Sequence, residues 1–268
     1  MSAATAGTRD PAKTHLHWTT KGDGPDILCL HGFTDHAASY DLIAPLLTGY
    51  RLLVPDLPGH GASPPVDPVT IETIIDVIDA DLAAMGRRPR FIIGHSMGSV
   101  LAASMAARWQ PRDLEGVVLI ASALRPVPPE QIWRAIMALE DPVRLEGTDL
   151  ETWHDCRQPV DGDFIAVMKA KAKQMAASQW KLYLAALQAC DLSAVIPAIN
   201  CPVLVLHGED DEIFAAENVM SLSRLARQAD VQILPEIGHN PHWEAPRETA
   251  HLIARFLEAC SREAAQQV

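Results

Sequence analysis

Arg90-Phe91-Ile92-Ile93-Gly94-His95-Ser96-Met97-Gly98 is the stretch that decides the fold. Phe91–Ile93 is a short apolar run that suits a buried strand. Gly94-His95-Ser96-Met97-Gly98 has the form G-x-S-x-G, and Ser99 to Trp109, rich in Ala, Leu and Met, reads as a helix. A strand that turns abruptly into a helix forces the turn residue into a strained backbone, and flanking glycines leave room for the close approach. Such a residue points off the end of the sheet, above a helix N-terminus. With Ser96 in that place, its hydroxyl is presented as a nucleophile.

Working outward, strand-like apolar runs recur at Ile27–Leu30, Leu52–Pro55, Val117–Ile120, Val203–Leu206 and Val231–Leu234, and His15–Thr19 alternates as if it opened the sheet. Thr70–Met85 carries Ile71, Ile74, Ile75, Ile78 and Leu82 at helical spacing, and 218–226 and 247–259 also read as helices. Strand and helix in alternation predict an α/β fold, a mainly parallel sheet with helices on both faces. Ligands then bind beyond the carboxyl ends of the strands. The alternation fails between Arg125 and Leu192, where only helical stretches occur, around 132–139, 164–175 and 180–190. We read 125–192 as a helical cap, 15–124 with 193–268 as the core, and 1–14 as a mobile tail.

The chain has 268 residues, 48% hydrophobic and 21% charged, with a formal net charge of −12. That balance argues against nucleic acid and against an anionic membrane surface, since both need a basic face. No apolar run reaches a membrane span, and the first residues lack the order of a signal peptide. A cytoplasmic protein is expected. The five cysteines, Cys29, Cys156, Cys190, Cys201 and Cys260, form no C-x-x-C pair and read as small hydrophobes.

Polar motifs stand at the strand ends. His31-Gly32-Phe33-Thr34 follows Leu30, Asp56-Leu57-Pro58-Gly59-His60-Gly61 follows Pro55, and His207-Gly208-Glu209-Asp210-Asp211 begins after Leu206. Gly238-His239-Asn240-Pro241 comes after the last strand. A serine hydroxyl needs a base, and the base needs an orienting carboxylate. The chain order nucleophile, acid, base is met by Ser96, an aspartate after the next core strand, and His239. Asp211 is preferred to Asp210 because it stands third after Gly208. The other place for the acid, Ala121-Ser122-Ala123, offers no carboxylate. The backbone N–H groups of Phe33 and Met97 are the candidates for stabilising an oxyanion. His31, His60, His95 and His207 read as fold-defining. His242 and the cap tryptophans Trp133, Trp153 and Trp180 are the candidates for lining the pocket. No metal or cofactor site is expected.

Leu-His-Gly-Phe, Asp-Leu-Pro-Gly-His-Gly, Gly-His-Ser-Met-Gly, His-Gly-Glu-Asp-Asp and Gly-His-Asn-Pro-His-Trp-Glu together resemble the α/β-hydrolase family, in particular its single-cap esterase-like members. The resemblance spans about residues 15–260. It implies a Ser96–Asp211–His239 triad without cofactor, Phe33 and Met97 as oxyanion donors, and a lid at 125–192. Branches that place an aspartate at the nucleophile position do not fit Ser96, and carbon–carbon bond hydrolases fit less well because Asn240 stands where they carry tryptophan. The expected activity is hydrolysis of small to medium, largely apolar carboxylic esters. Lactonase, carbon–carbon hydrolase or acyltransferase chemistry and a ligand-binding receptor on the same fold are the alternatives.

Overall fold

The structure, a computed structural model, describes residues 14–109, 114–226 and 229–266. Residues 1–13 of the expected tail lie outside them. Among the described residues, seven strands form one sheet in the order β1-β3-β2-β4-β5-β6-β7. They are β1 (Trp18–Gly22), β2 (Asp26–Leu30), β3 (Arg51–Pro55), β4 (Phe91–His95), β5 (Gly116–Ile120), β6 (Val203–Gly208) and β7 (Ala229–Leu234). Only β1 runs antiparallel to its neighbour, pairing Trp18 with Pro55 and Gly22 with Arg51. All other pairings are parallel.

The apolar runs become strands because both faces of the sheet are covered. Leu28, Leu30, Ile92, Val117, Leu119, Val203 and Val205 face one core with α1 (Ile71–Ala84) and α2 (Met97–Arg108). The alternate residues, Ile27, Cys29, Phe91, Ile93, Val118, Ile120, Leu204 and Leu206, face the other core with Ile253 and Leu257 of the last helix (Pro246–Gln266). α1 begins where the Thr70 hydroxyl accepts the Thr73 N–H, an N-cap that satisfies one of its free donors.

The first strand starts later than the alternation at His15–Thr19 suggests. The N–H groups of His15 and Leu16 are taken by the Asp81 carboxylate at 2.7 and 2.9 Å, and the Trp18 indole donates to it too. With those donors committed to a buried side chain on α1, sheet pairing begins only at Trp18.

Between β5 and β6 the described residues make three α-helices, α3 (Glu130–Met137), α4 (Gly162–Gln174) and α5 (Ala177–Gln188), and a short 3-10 turn (Ile196–Ala198), but no strand. The remaining helices are α6 (Ala216–Leu225), the short α7 (Pro241–Glu244) and α8 (Pro246–Gln266). No helix among the described residues is long and apolar enough to cross a membrane.

Candidate active site

β4 ends at His95 and α2 begins at Met97, so Ser96 alone makes the turn, with φ 51° and ψ −114°. Such a conformation costs on the order of 1–3 kcal/mol for a residue with a Cβ and persists only where its surroundings impose it. Two glycines impose it here. A Cβ on Gly94 would lie 2.1 Å from the Gly98 carbonyl oxygen, and one on Gly98 would lie 2.0 Å from that of Leu30. The turn is therefore clamped between its own helix and the end of β2.

A second clamp brings the Asp211 and His239 loops together. A Cβ on Gly208, the last residue of β6, would lie 2.1 Å from the Gly238 carbonyl oxygen. Across this contact the Asp211 carboxylate reaches His239: Nδ1 donates to Oδ2 at 2.8 Å. His239 Nε2 lies 2.9 Å from Ser96 Oγ. The other Asp211 oxygen accepts the N–H groups of Ile213 and Phe214 at 2.8 and 3.0 Å. Burial alone would raise the Asp211 carboxyl, but adjacent His239 and the Phe214 N–H hold it below the usual carboxylate range. Asp210 instead uses its N–H on the Ile237 carbonyl and lines the cavity. The N–H groups of Phe33 and Met97 find no acceptor among the described residues, as expected of a loop end and of a helix first turn.

The other motif histidines hold loops. His31 Nε2 accepts the Leu57 N–H at 2.9 Å while Nδ1 donates to the Gly32 carbonyl. His60 does likewise with the Thr34 N–H and the Pro58 carbonyl. Burial keeps both rings neutral, that of His60 down to about 3. His207 packs 3.7 Å from Asp211.

Ser96 and His239 open into a cavity of about 410 Å³. Phe33 and Phe214, with Ile132, Ile136, Trp153, Leu184 and Leu187 from the segment between β5 and β6, give it apolar walls. Asp149, Asp155, Asp210 and Glu212 also line it, against one arginine, Arg157, which pairs with Glu212 at 2.7 Å. Cys156 lines it as well, with burial pushing its thiol up to about 12, so it offers no thiolate.

Of the four expected pocket side chains, only Trp153 lines the cavity. Its indole donates to the Thr34 hydroxyl at 2.8 Å, tying the insertion to the Phe33 loop. Trp180 is fully buried behind Phe33, ring centroids 5.3 Å apart, and bonds the Ala172 carbonyl. Trp133 is half-buried outside the lining. Ile132 and Ile136, one helical turn apart, take the cavity face of α3, and the residue after Ile132 points about 100° away. His242 is also fully buried, against His95 at 4.4 Å between centroids, with Nε2 on Ser39 Oγ.

Three side chains had no sequence signal strong enough to single them out. Asp35 and His154 line the cavity while almost wholly buried. Glu244 accepts four backbone N–H groups, those of Gly238 and Asn240 around the base and of Arg157 and Gln158 in the insertion.

Known proteins give the geometry its setting. A pimeloyl-[acyl-carrier protein] methyl ester esterase of Photobacterium profundum is 27% identical over 260 residues, covering 91% of this chain and 99% of its own. A 2-succinyl-6-hydroxy-2,4-cyclohexadiene-1-carboxylate synthase of Serratia proteamaculans is 27% identical over 88% of this chain and 94% of its own. Among solved structures, a thermophilic esterase from Thermogutta terrifontis superposes with a TM-score of 0.72 at 26% identity, covering 91% of this chain and 93% of that one. Residues 27–252 match the family described as "Alpha/beta hydrolase family", and the chain belongs to it.

Proposed function

We propose that this chain hydrolyses carboxylic esters through an acyl-enzyme on Ser96. The observation that carries the proposal is the relay of 2.9 and 2.8 Å from Ser96 Oγ through His239 to Asp211. Ser96 Oγ attacks the ester carbonyl carbon while its proton passes to His239 Nε2. The Asp211 carboxylate holds Nδ1–H, fixing the tautomer that leaves Nε2 free to accept, and it offsets the imidazolium charge. The Phe33 and Met97 N–H groups receive the oxyanion. Collapse breaks the bond to the leaving alkoxide, which takes the proton from Nε2 and departs as the alcohol. Water then attacks the acyl-serine, gives its proton to Nε2, and a second collapse frees the acid and returns the proton to Ser96.

Residues 125–192 act as the cap. Their apolar side chains around the cavity favour a small to medium, largely apolar acyl or alcohol group. Carboxylates along the same cavity disfavour an acyl chain that carries its own carboxylate. The relatives include esterases and a synthase, so the substrate panel spans simple esters, lactones and carboxylate-bearing esters. A fluorophosphonate probe should label Ser96 alone, and Ser96→Ala should abolish labelling and ester turnover. Labelling of another serine, or undiminished turnover in Ser96→Ala, overturns the proposal.

A further inference from the structure

We propose that Asp35 and His95 are positioning residues: a buried Asp35–His95 pair grips the backbone carbonyl of His239 from behind and so sets its imidazole against Ser96. The inference rests on the reading of His239 as the base.

His95 is the residue before Ser96, and its ring lies under the base loop. Its Nε2 is 3.0 Å from the His239 carbonyl oxygen. A carbonyl only accepts, so Nε2 must carry a proton and donate. The opposite nitrogen, Nδ1, faces Asp35 Oδ2 at 3.6 Å, and the two side chains are 3% and 4% exposed. The Nδ1 side of the ring packs on the buried carboxylate without a hydrogen bond of its own, so Asp35 backs the ring while Nε2 holds the carbonyl. Burial alone would raise the Asp35 carboxyl, yet the facing His95 holds it well below the usual carboxylate range.

The surroundings are built for this pair. A Cβ on Gly32 would lie 2.7 Å from His95 Nδ1 and 2.9 Å from Asp35 Oδ2, so only glycine leaves the space between loop and ring. Ser39 Oγ donates to Asp35 Oδ2 at 3.3 Å, and the Trp243 indole donates to the Ser39 carbonyl at 2.9 Å. Asp35 is thereby tied to α7, the helix that follows the base loop. The His239 carbonyl belongs to the peptide unit that closes the His239 backbone. Gripping it restrains the backbone dihedral that aims the side chain. The nucleophile turn and the base thus share one anchor: moving the end of β4 moves both together.

The test uses three variants of the whole chain beside wild type and Ser96→Ala. His95→Leu removes the donor and leaves Asp35 buried without the imidazole that faces it. Asp35→Leu/His95→Leu removes both. His95→Gln keeps an amide donor near the place of Nε2. The readouts are kcat and KM on a simple ester, the rate of fluorophosphonate labelling, and the melting temperature. The pair predicts that His95→Leu and the double variant both lose kcat and labelling rate on the order of ten- to hundred-fold with KM unchanged, as a small misplacement of a base would cause. It predicts that the double variant regains melting temperature over His95→Leu without regaining kcat, and that His95→Gln keeps most of the kcat. A kcat that recovers with the melting temperature in the double variant makes the role one of stability and overturns the inference. So does wild-type kcat in every variant, or a well-folded His95→Gln as slow as His95→Leu. If Ser96→Ala remains active, the proposed function fails; if Ser96→Ala is inactive and the His95 variants are not, only the anchor fails.

Discussion

Acid should weaken this fold well before it protonates the carboxylates, and two imidazoles set the size of the effect. His60 and His154 are each 2% exposed, and burial lowers them to about 3 and about 4. In the unfolded chain a histidine takes its proton near 6.5. Between these values the unfolded state binds protons that the folded state refuses, so stability rises with pH and is lost as pH falls below about 6.5. From pH 7 to pH 5 each ring costs about 2 kcal/mol and the pair about 4 kcal/mol by the same linkage relation. His31, His36, His207 and His242 are lowered by burial too and act in the same direction. The carboxylates of Asp35, Asp56 and Asp211 are held low in the fold, so their contribution is present above the unfolded carboxylate range and is lost only as pH falls through their folded values. That loss lies below the histidine window. Urea unfolding at 25 °C across pH 5–7.5 would measure the slope, with His154→Phe as the control. His154→Phe should flatten the dependence by about 2 kcal/mol over the two units, because one proton is no longer taken up on unfolding. A midpoint flat from pH 7 to 5, or a His154→Phe slope equal to wild type, would refute the reasoning.

Asp211→Asn should keep the fold and lower turnover on the order of 10⁴, by analogy with serine proteases, because the base loses its tautomer. Asp210→Asn should cost far less, because Asp211 and not Asp210 pairs with His239; equal effects would refute the assignment of the acid. Trp180→Ala should destabilise by roughly 3–5 kcal/mol as a fully buried ring, whereas Trp153→Ala should shift the preferred acyl length, at about 1–3 kcal/mol per methylene of fit. Chain-length profiles and urea midpoints on both variants check this, and a selectivity shift in Trp180→Ala alone would contradict it. For two esters of equal length, one with an acyl chain ending in methyl and one ending in carboxylate, kcat/KM should favour the methyl-terminated chain, most strongly at low salt. A preference for the carboxylate would show that the acidic cavity wall does not select.

The sheet was legible because its strands are apolar on both faces, which leaves short unbroken runs such as Phe91–Ile93. The start of β1 was not, because Asp81 on a helix 63 residues from Trp18 takes the N–H groups that pairing would use. Ser96, Asp211 and His239 could be singled out as candidates because each follows a core strand in a glycine-bearing turn, with close approaches at Gly94, Gly98 and Gly208. The pocket lining was less readable. Aromatic character does not say which way a helix turns, so Trp133 and Trp180 were expected at the cavity while Ile132 and Ile136 occupy its wall. Asp35 and His154 escaped notice because His95 and Trp243, which they face, are remote in sequence. Glu244 closes the Gly-His-Asn-Pro-His-Trp-Glu motif, but its link to the segment between β5 and β6 spans a long stretch of chain. Glu244 bonds the N–H of Arg157, 87 residues away.

The carboxylates along the cavity bear on the end of a turnover as well as its start. Ester cleavage turns an uncharged guest into an anion, and under the proposed chemistry that anion is born among Asp149, Asp155, Asp210 and Glu212. All four are exposed, and Glu212 and Asp155 pair with Arg157 and Lys169, so Asp149 and Asp210 carry most of the repulsion, screened by solvent. Under the same proposal, the wall that tolerates the ester would favour release of the acid. Release would be driven by the bond that was broken, and the reverse reaction would be handicapped because the free acid is poorly held. A free acid that inhibits at concentrations below the KM of its own ester would rule this out.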